Sequence, residues 1–75
     1  MSIEDTGKRL REARIERLMS ISELAKAADV TYITILNIEK GVTLQSRKLE
    51  QIAEALNVNR AWLQFGEPWA SKDVL

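Results

Sequence analysis

Neither cysteine nor histidine occurs among the 75 residues, which removes disulfides, thiolate chemistry, imidazole acid–base work and the usual zinc-ligand sets together. No convergent pair of carboxylates replaces them, so the sequence offers no catalytic group and no ligand set for a metal or cofactor. Hydrogen bonding and charge remain. Asn37 carries an amide that can bond N6 and N7 of an adenine together; its other reading is a surface amide near a helix end. Ser20 and Thr43 carry hydroxyls, and Lys40, Arg47 and Lys48 are neighbouring cations. Residues 7–18 are the most basic stretch, with Lys8, Arg9, Arg11, Arg14 and Arg17 against Glu12 and Glu16. Eleven Lys plus Arg nevertheless balance eleven Asp plus Glu over the chain, so bulk charge does not advertise nucleic acid and any basic surface is local.

Helices must position these groups. The length suits one compact core, and 45% hydrophobic with 29% charged residues is a globular composition, so a single domain over residues 1–75 is expected. Glycines at 7, 41 and 66 and one proline at 68 are sparse punctuation, and the segments between them carry helical periodicity, which predicts an all-α fold. Helix 1 should start from a cap at Asp5 or Thr6 and run to about Leu18, with Leu10, Ala13, Ile15 and Leu18 as its apolar members. Ser20 and Glu23 have the spacing of a capping box that opens helix 2, over about residues 21–28, after which Asp29 takes a left-handed turn. Thr31 caps helix 3, which Gly41 ends after about Lys40. Ser46 caps helix 4, whose Leu49, Ile52, Ala53 and Leu56 form one buried stripe. Asn59 caps a short helix 5 through Phe65, leaving residues 67–75 as a tail. No apolar run approaches the ~18 residues of a membrane span, and the N-terminus lacks a signal peptide's basic start, so a cytoplasmic protein without a membrane partner is expected.

With Ile35 and Ile38 facing inward, the opposite face of helix 3 holds Tyr32, Ile33, Leu36, Asn37 and Lys40. Two apolar residues, Ile33 and Leu36, need a partner there: thymine methyl groups, a protein surface, or a rotated helix that puts both in the core.

A second and third helix joined by a tight turn can present one helix to the DNA major groove. The run Met19-Ser20-Ile21-Ser22-Glu23-Leu24-Ala25, then Val30-Thr31, Ile35 and Ile38-Glu39-Lys40-Gly41, closely resembles the XRE-type helix-turn-helix of the phage Cro and repressor family. So do Leu49, Ile52-Ala53, Ala55-Leu56, Val58 and Trp62-Leu63. The resemblance covers roughly residues 7–66, with the helix-turn-helix at about 20–40. It implies a compact five-helix, lambda-repressor-like DNA-binding domain, and an ion pair between Arg14 and Glu39 that periodicity also permits. It further implies base contacts from Thr31, Tyr32, Ile33 and Asn37, to which the face of helix 3 adds Leu36. Ser20, Lys40, Thr43, Arg47 and Lys48 are the expected phosphate contacts, with Lys8 or Arg9 reaching from helix 1. Five positions, in three places, depart from the family pattern. Ile21 stands where a glutamine commonly bonds phosphate, Val42, Leu44 and Gln45 occupy a loop often rich in lysine, and Asp29 replaces a turn glycine. Weak binding of stray DNA follows from so few phosphate ligands.

The expectation is a sequence-specific transcriptional regulator, not an enzyme: a Cro-like or repressor protein of phage or prophage origin. As a homodimer it would dock helix 3 in the major groove of double-stranded DNA, and a chain ending at residue 75 fits a Cro-like protein. The dimer contact is expected from helix 5 and the tail, through Phe65, Trp69, Val74 and Leu75, with Trp62 assigned rather to the core. The rival is a protein-binding module of the same fold, an anti-repressor or regulatory subunit, in which Ile33, Leu36 and the 42–44 loop meet a protein partner.

Overall fold

The computed structural model describes residues 3–67 and 70–73. Five helices follow one another: α1 (Ile3–Glu16), α2 (Ile21–Ala28), α3 (Tyr32–Glu39), α4 (Ser46–Leu56) and α5 (Arg60–Phe65). Among the described residues the extended pairing is an isolated antiparallel bridge between Val58 and Asp73. The all-α reading therefore holds.

The capping box closes as its spacing requires, with the Glu23 amide donating to Ser20 Oγ at 3.0 Å and the Ser20 amide to Glu23 Oε1 at 2.8 Å. Asp29 takes the left-handed conformation at φ 58°, and Thr31 caps α3 by accepting from the Thr34 amide at 3.2 Å. Three helix ends differ from expectation. The first helix begins at Ile3, so Asp5 and Thr6 lie inside it, and Thr6 donates its hydroxyl to the Gln64 carbonyl at 3.0 Å. It also stops at Glu16, because the Met19 amide turns back to the Arg14 carbonyl at 3.1 Å with Leu18 left-handed at φ 56°. Leu18 is consequently 90% exposed, and only Leu10 and Ala13 of its expected stripe are buried. In α4 the cap is Gln45, left-handed at φ 47° and without a side-chain bond, while Ser46 is already helical. A capping hydroxyl needs an extended backbone to fold over the first amides, which Ser46 lacks.

The core gathers Leu10, Leu24, Ile35, Ile38, Leu49, Ile52, Leu56 and Leu63, all fully buried. Leu49, Ile52, Ala53 and Leu56 do form one buried stripe on α4. The expected tail is a correction. Residues 70–73 fold back as a strap: the Ala70 amide bonds the Gly66 carbonyl at 3.1 Å, and the Asn59 amide bonds that of Lys72 at 2.8 Å. Ala70 packs on the core, and the Lys72 ammonium lies 5.4 Å from the centre of the Trp62 ring while pairing with Glu16. Trp62 is buried and Phe65 exposed. Trp69, Val74 and Leu75, named above for a dimer contact, lie outside the described residues, as does Pro68.

Candidate nucleic-acid interface

The third helix is fixed from beneath by α1. Arg14 donates through Nε to Glu39 Oε2 at 2.7 Å and through Nη2 to Oε1 at 3.1 Å, and its Nη1 reaches the Met19 carbonyl at 2.9 Å. The two side chains are only 13% and 7% exposed, so the fork satisfies a carboxylate that burial would otherwise penalise. The bonds to Glu39 raise the Arg14 pKa above its ordinary value; desolvation opposes this, and attraction to Glu39 and Tyr32 adds to it. One guanidinium thus joins the α1 exit turn to the end of α3.

Ile35 and Ile38 face the core, so the outward side of α3 is the one that periodicity assigned. Tyr32 is exposed, Ile33 is 57% exposed, and Lys40 stands in solvent at the C-cap. Leu36 and Asn37 are half-buried. This corrects the reading of Leu36 as fully outward and excludes the rotated helix for Ile33. The Asn37 carbonyl accepts from the amides of Val42 and Thr43, at 2.9 and 3.4 Å, and so closes the helix end. Thr31 is exposed, but its hydroxyl serves the cap and lies 2.9 Å from Thr34 Oγ1.

Among the expected phosphate ligands, Ser20 and Arg47 are exposed and Lys48 is half-buried. The Ser20 hydroxyl is shared with the capping box. Thr43 is half-buried, and its Oγ1 is buried without a hydrogen-bond partner. Leu44 likewise packs on the core, which leaves Val42 as the exposed apolar residue of the 42–44 loop. Arg9 donates to the carbonyls of Leu63 at 3.0 Å and Gln64 at 2.7 Å, capping the end of α5. Lys8 remains exposed. Sequence reading missed the open start of α4, whose amides no side chain caps, directly beside Arg47 and Lys48. Such amides attract anions.

Charge is unevenly distributed despite the balanced total. Over residues 30–49 the acid is Glu39, neutralised by Arg14, against Lys40, Arg47 and Lys48. Residues 50–73 carry Glu50, Glu54, Glu67 and Asp73 against Arg60 and Lys72. The segment from α3 to the start of α4 is therefore net cationic, and the segment that follows it is net acidic.

Comparison with known proteins bears on this surface. A family model described as helix-turn-helix matches residues 10–63. The transcriptional regulator PrtR of Pseudomonas aeruginosa is 42% identical over 59 residues, which are 79% of this chain but only 23% of that protein. Among solved structures, the biofilm master regulator SinR in complex with DNA superposes with a TM-score of 0.73 at 30% identity, over 79% of this chain and 97% of that one. The restriction-modification controller C.AhdI of Aeromonas hydrophila has a TM-score of 0.76 at 24% identity, over 81% and 94% of the two chains, and shows the shared fold. A SinR/SinI protein complex gives 0.75 at 28%, over 84% of this chain and 63% of that one.

Proposed function

The chain belongs to the XRE-type helix-turn-helix family of DNA-binding regulators, and from that premise we propose that it binds duplex DNA sequence-specifically, with α3 in the major groove. The observation that carries the proposal is the outward side of α3, which offers Tyr32, Ile33 and Asn37 above a buried Arg14–Glu39 fork, within a net-cationic segment of a neutral chain. Thr31, Tyr32, Ile33, Leu36 and Asn37 are the proposed base readers: the Asn37 amide pairs with an adenine, and Ile33, with the exposed part of Leu36, meets thymine methyl groups. Arg47, Lys48 and the open amides of α4 take one phosphate, while Lys40 and Ser20 take neighbouring ones.

Binding is as a symmetric dimer, because one recognition helix covers few base pairs and a palindrome adds the two readouts. The biological role is transcriptional control by a repressor of the Cro type, of phage or prophage origin. A single helix-turn-helix domain with no enzymatic step, acting in the cytoplasm, completes the reading.

Selection of bound sequences from a random duplex pool tests it, with a palindrome of half-sites one helical turn apart, ~34 Å, as the expected product. On the selected site, Asn37→Ala should relax preference at one position by about 1–3 kcal/mol. Arg47→Ala should instead weaken all sequences alike and reduce the slope of log K against log salt by about 0.9 for each phosphate no longer neutralised. Recovery of no consensus would refute the proposal. The protein-binding alternative draws on Ile33 and Val42, both exposed, and on the likeness to a chain of the SinR/SinI protein complex; duplex DNA failing to compete with a protein for the Ile33 surface would favour it.

A further inference from the structure

Gly7 sits inside α1, where glycine is a poor helix former and nothing about the turn geometry calls for it. The reason is steric. A Cβ built on Gly7 would collide with the carbonyl oxygen of Ile38 and stand 2.8 Å from the carbonyl oxygen and 3.0 Å from the carbonyl carbon of Glu39. These are backbone atoms at the end of α3, so no rotamer change relieves the clash. Two turns further along α1, Arg14 grips the Glu39 side chain. The end of α3 is thus held twice, by a bare backbone contact and by an ion pair, whereas its start is fixed through the short turn from α2.

We infer that Gly7 is a positioning residue for the recognition helix: by letting the end of α3 lie directly on α1, it sets the tilt at which α3 is offered to DNA. The inference rests on the proposed function and refines it. Restoring ordinary contact for an added methyl requires about 1 Å of separation. Because the push acts at residues 38–39, α3 tilts about its start, so Asn37 moves more than residues 31–33. Displacements of this size exceed the tolerance of a preorganised site, ~0.5 Å.

The test is Gly7→Ala in the full chain, assayed well below its Tm on the selected duplex and its single-position variants. Preference at the Asn37 position should fall roughly tenfold, with the other positions kept, as when a single base reader is removed. Amide resonances of α3 and the Arg14 Nε–H signal should shift. Leu56→Val, a core truncation on α4, lowers Tm without this selective loss. A Gly7→Ala protein with wild-type preferences and unmoved α3 resonances would overturn the inference, as would Leu56→Val reproducing the selective loss. If Gly7→Ala fails to fold, Arg14→Lys removes the fork at the same end of α3. Selective loss at the Asn37 position then supports the inference, and intact preference overturns it. Should the wild type select no sequence at all, the DNA reading fails, and the α3 resonances alone decide whether Gly7 sets the tilt.

Discussion

At the scale of single residues, the same side chain often carries two duties here, and Glu23 shows what that does to pH dependence. The backbone bond from Ser20, and then the bond from its hydroxyl, hold the Glu23 carboxyl below its ordinary 4.5. Glu16 is lowered likewise, first by its bond to Lys72. A carboxyl with a lower pKa in the folded than in the unfolded state contributes stability above the unfolded value and loses it as pH falls through the folded one. Tm should therefore fall as pH drops from about 5 to 3, and less steeply in Glu23→Gln, which keeps a hydrogen-bonding cap but does not titrate. Parallel Tm curves for the two proteins would show that the box contributes nothing to the acid limb. The residues that sequence reading placed best were of this local kind: Ser20, Glu23, Asp29 and Thr31 all act within four positions of themselves. The bonds of Arg9 to the Leu63 and Gln64 carbonyls and the burial of the Thr43 hydroxyl were not legible, because they depend on distant residues and on the loop after α3, which short-range spacing does not encode.

At the scale of elements, α3 was legible in its bounds and inward face, since Ile35 and Ile38 at helical spacing can both be buried in only one rotation. The depth of Leu36 was not, because half-burial depends on the neighbours rather than on the helix's own period. The distinction is measurable. Ile33→Ser should change Tm little, within the ±0.5 kcal/mol typical of surface sites. Leu36→Ser should lose about 1 kcal/mol from its half-buried side chain, a fall of roughly 4–8 °C for a domain this small. Both should weaken binding to the selected site, and replacing thymine by uracil should cost the wild type about 0.8 kcal/mol at each methyl in contact. An equal thermal penalty for the two substitutions would mean that Ile33 is packed as well. The start of α4 was misread for a related reason: Ser46 looked like a cap by type, but the left-handed entry through Gln45 is set by how the loop must climb from α3.

At the scale of the whole molecule, the strap of residues 70–73 ties α5 back to α1 and was invisible as pattern, because its contacts follow no helical or strand period and one of them, Lys72 with Glu16, joins residues 56 apart. Lys72 is both a lid on Trp62 and the partner of Glu16, and Lys72→Met separates the two by keeping apolar cover without charge. That variant should keep Trp62 shielded from acrylamide in a Trp69→Phe background and lose the salt dependence of Tm that the ion pair contributes. Deleting residues 70–75 should unshield Trp62 and fray α5, since the Asn59 amide loses its acceptor and Ala70 its packing. Unchanged quenching after the deletion would show that the strap does not cover the ring.

The uneven charge of the fold has a consequence for how the protein finds DNA. A neutral body with unevenly distributed charge can carry a dipole moment, on which a polyanion exerts a torque even where the net force vanishes. The molecule measures 30 × 26 × 20 Å, while the screening length in physiological salt is about 8 Å. On close approach only the nearer groups feel a polyanion, so the segment carrying Lys40, Arg47 and Lys48 is drawn in when it leads. If α3 is the face offered to DNA as proposed, such sorting by orientation raises the fraction of productive encounters without adding affinity for DNA at large.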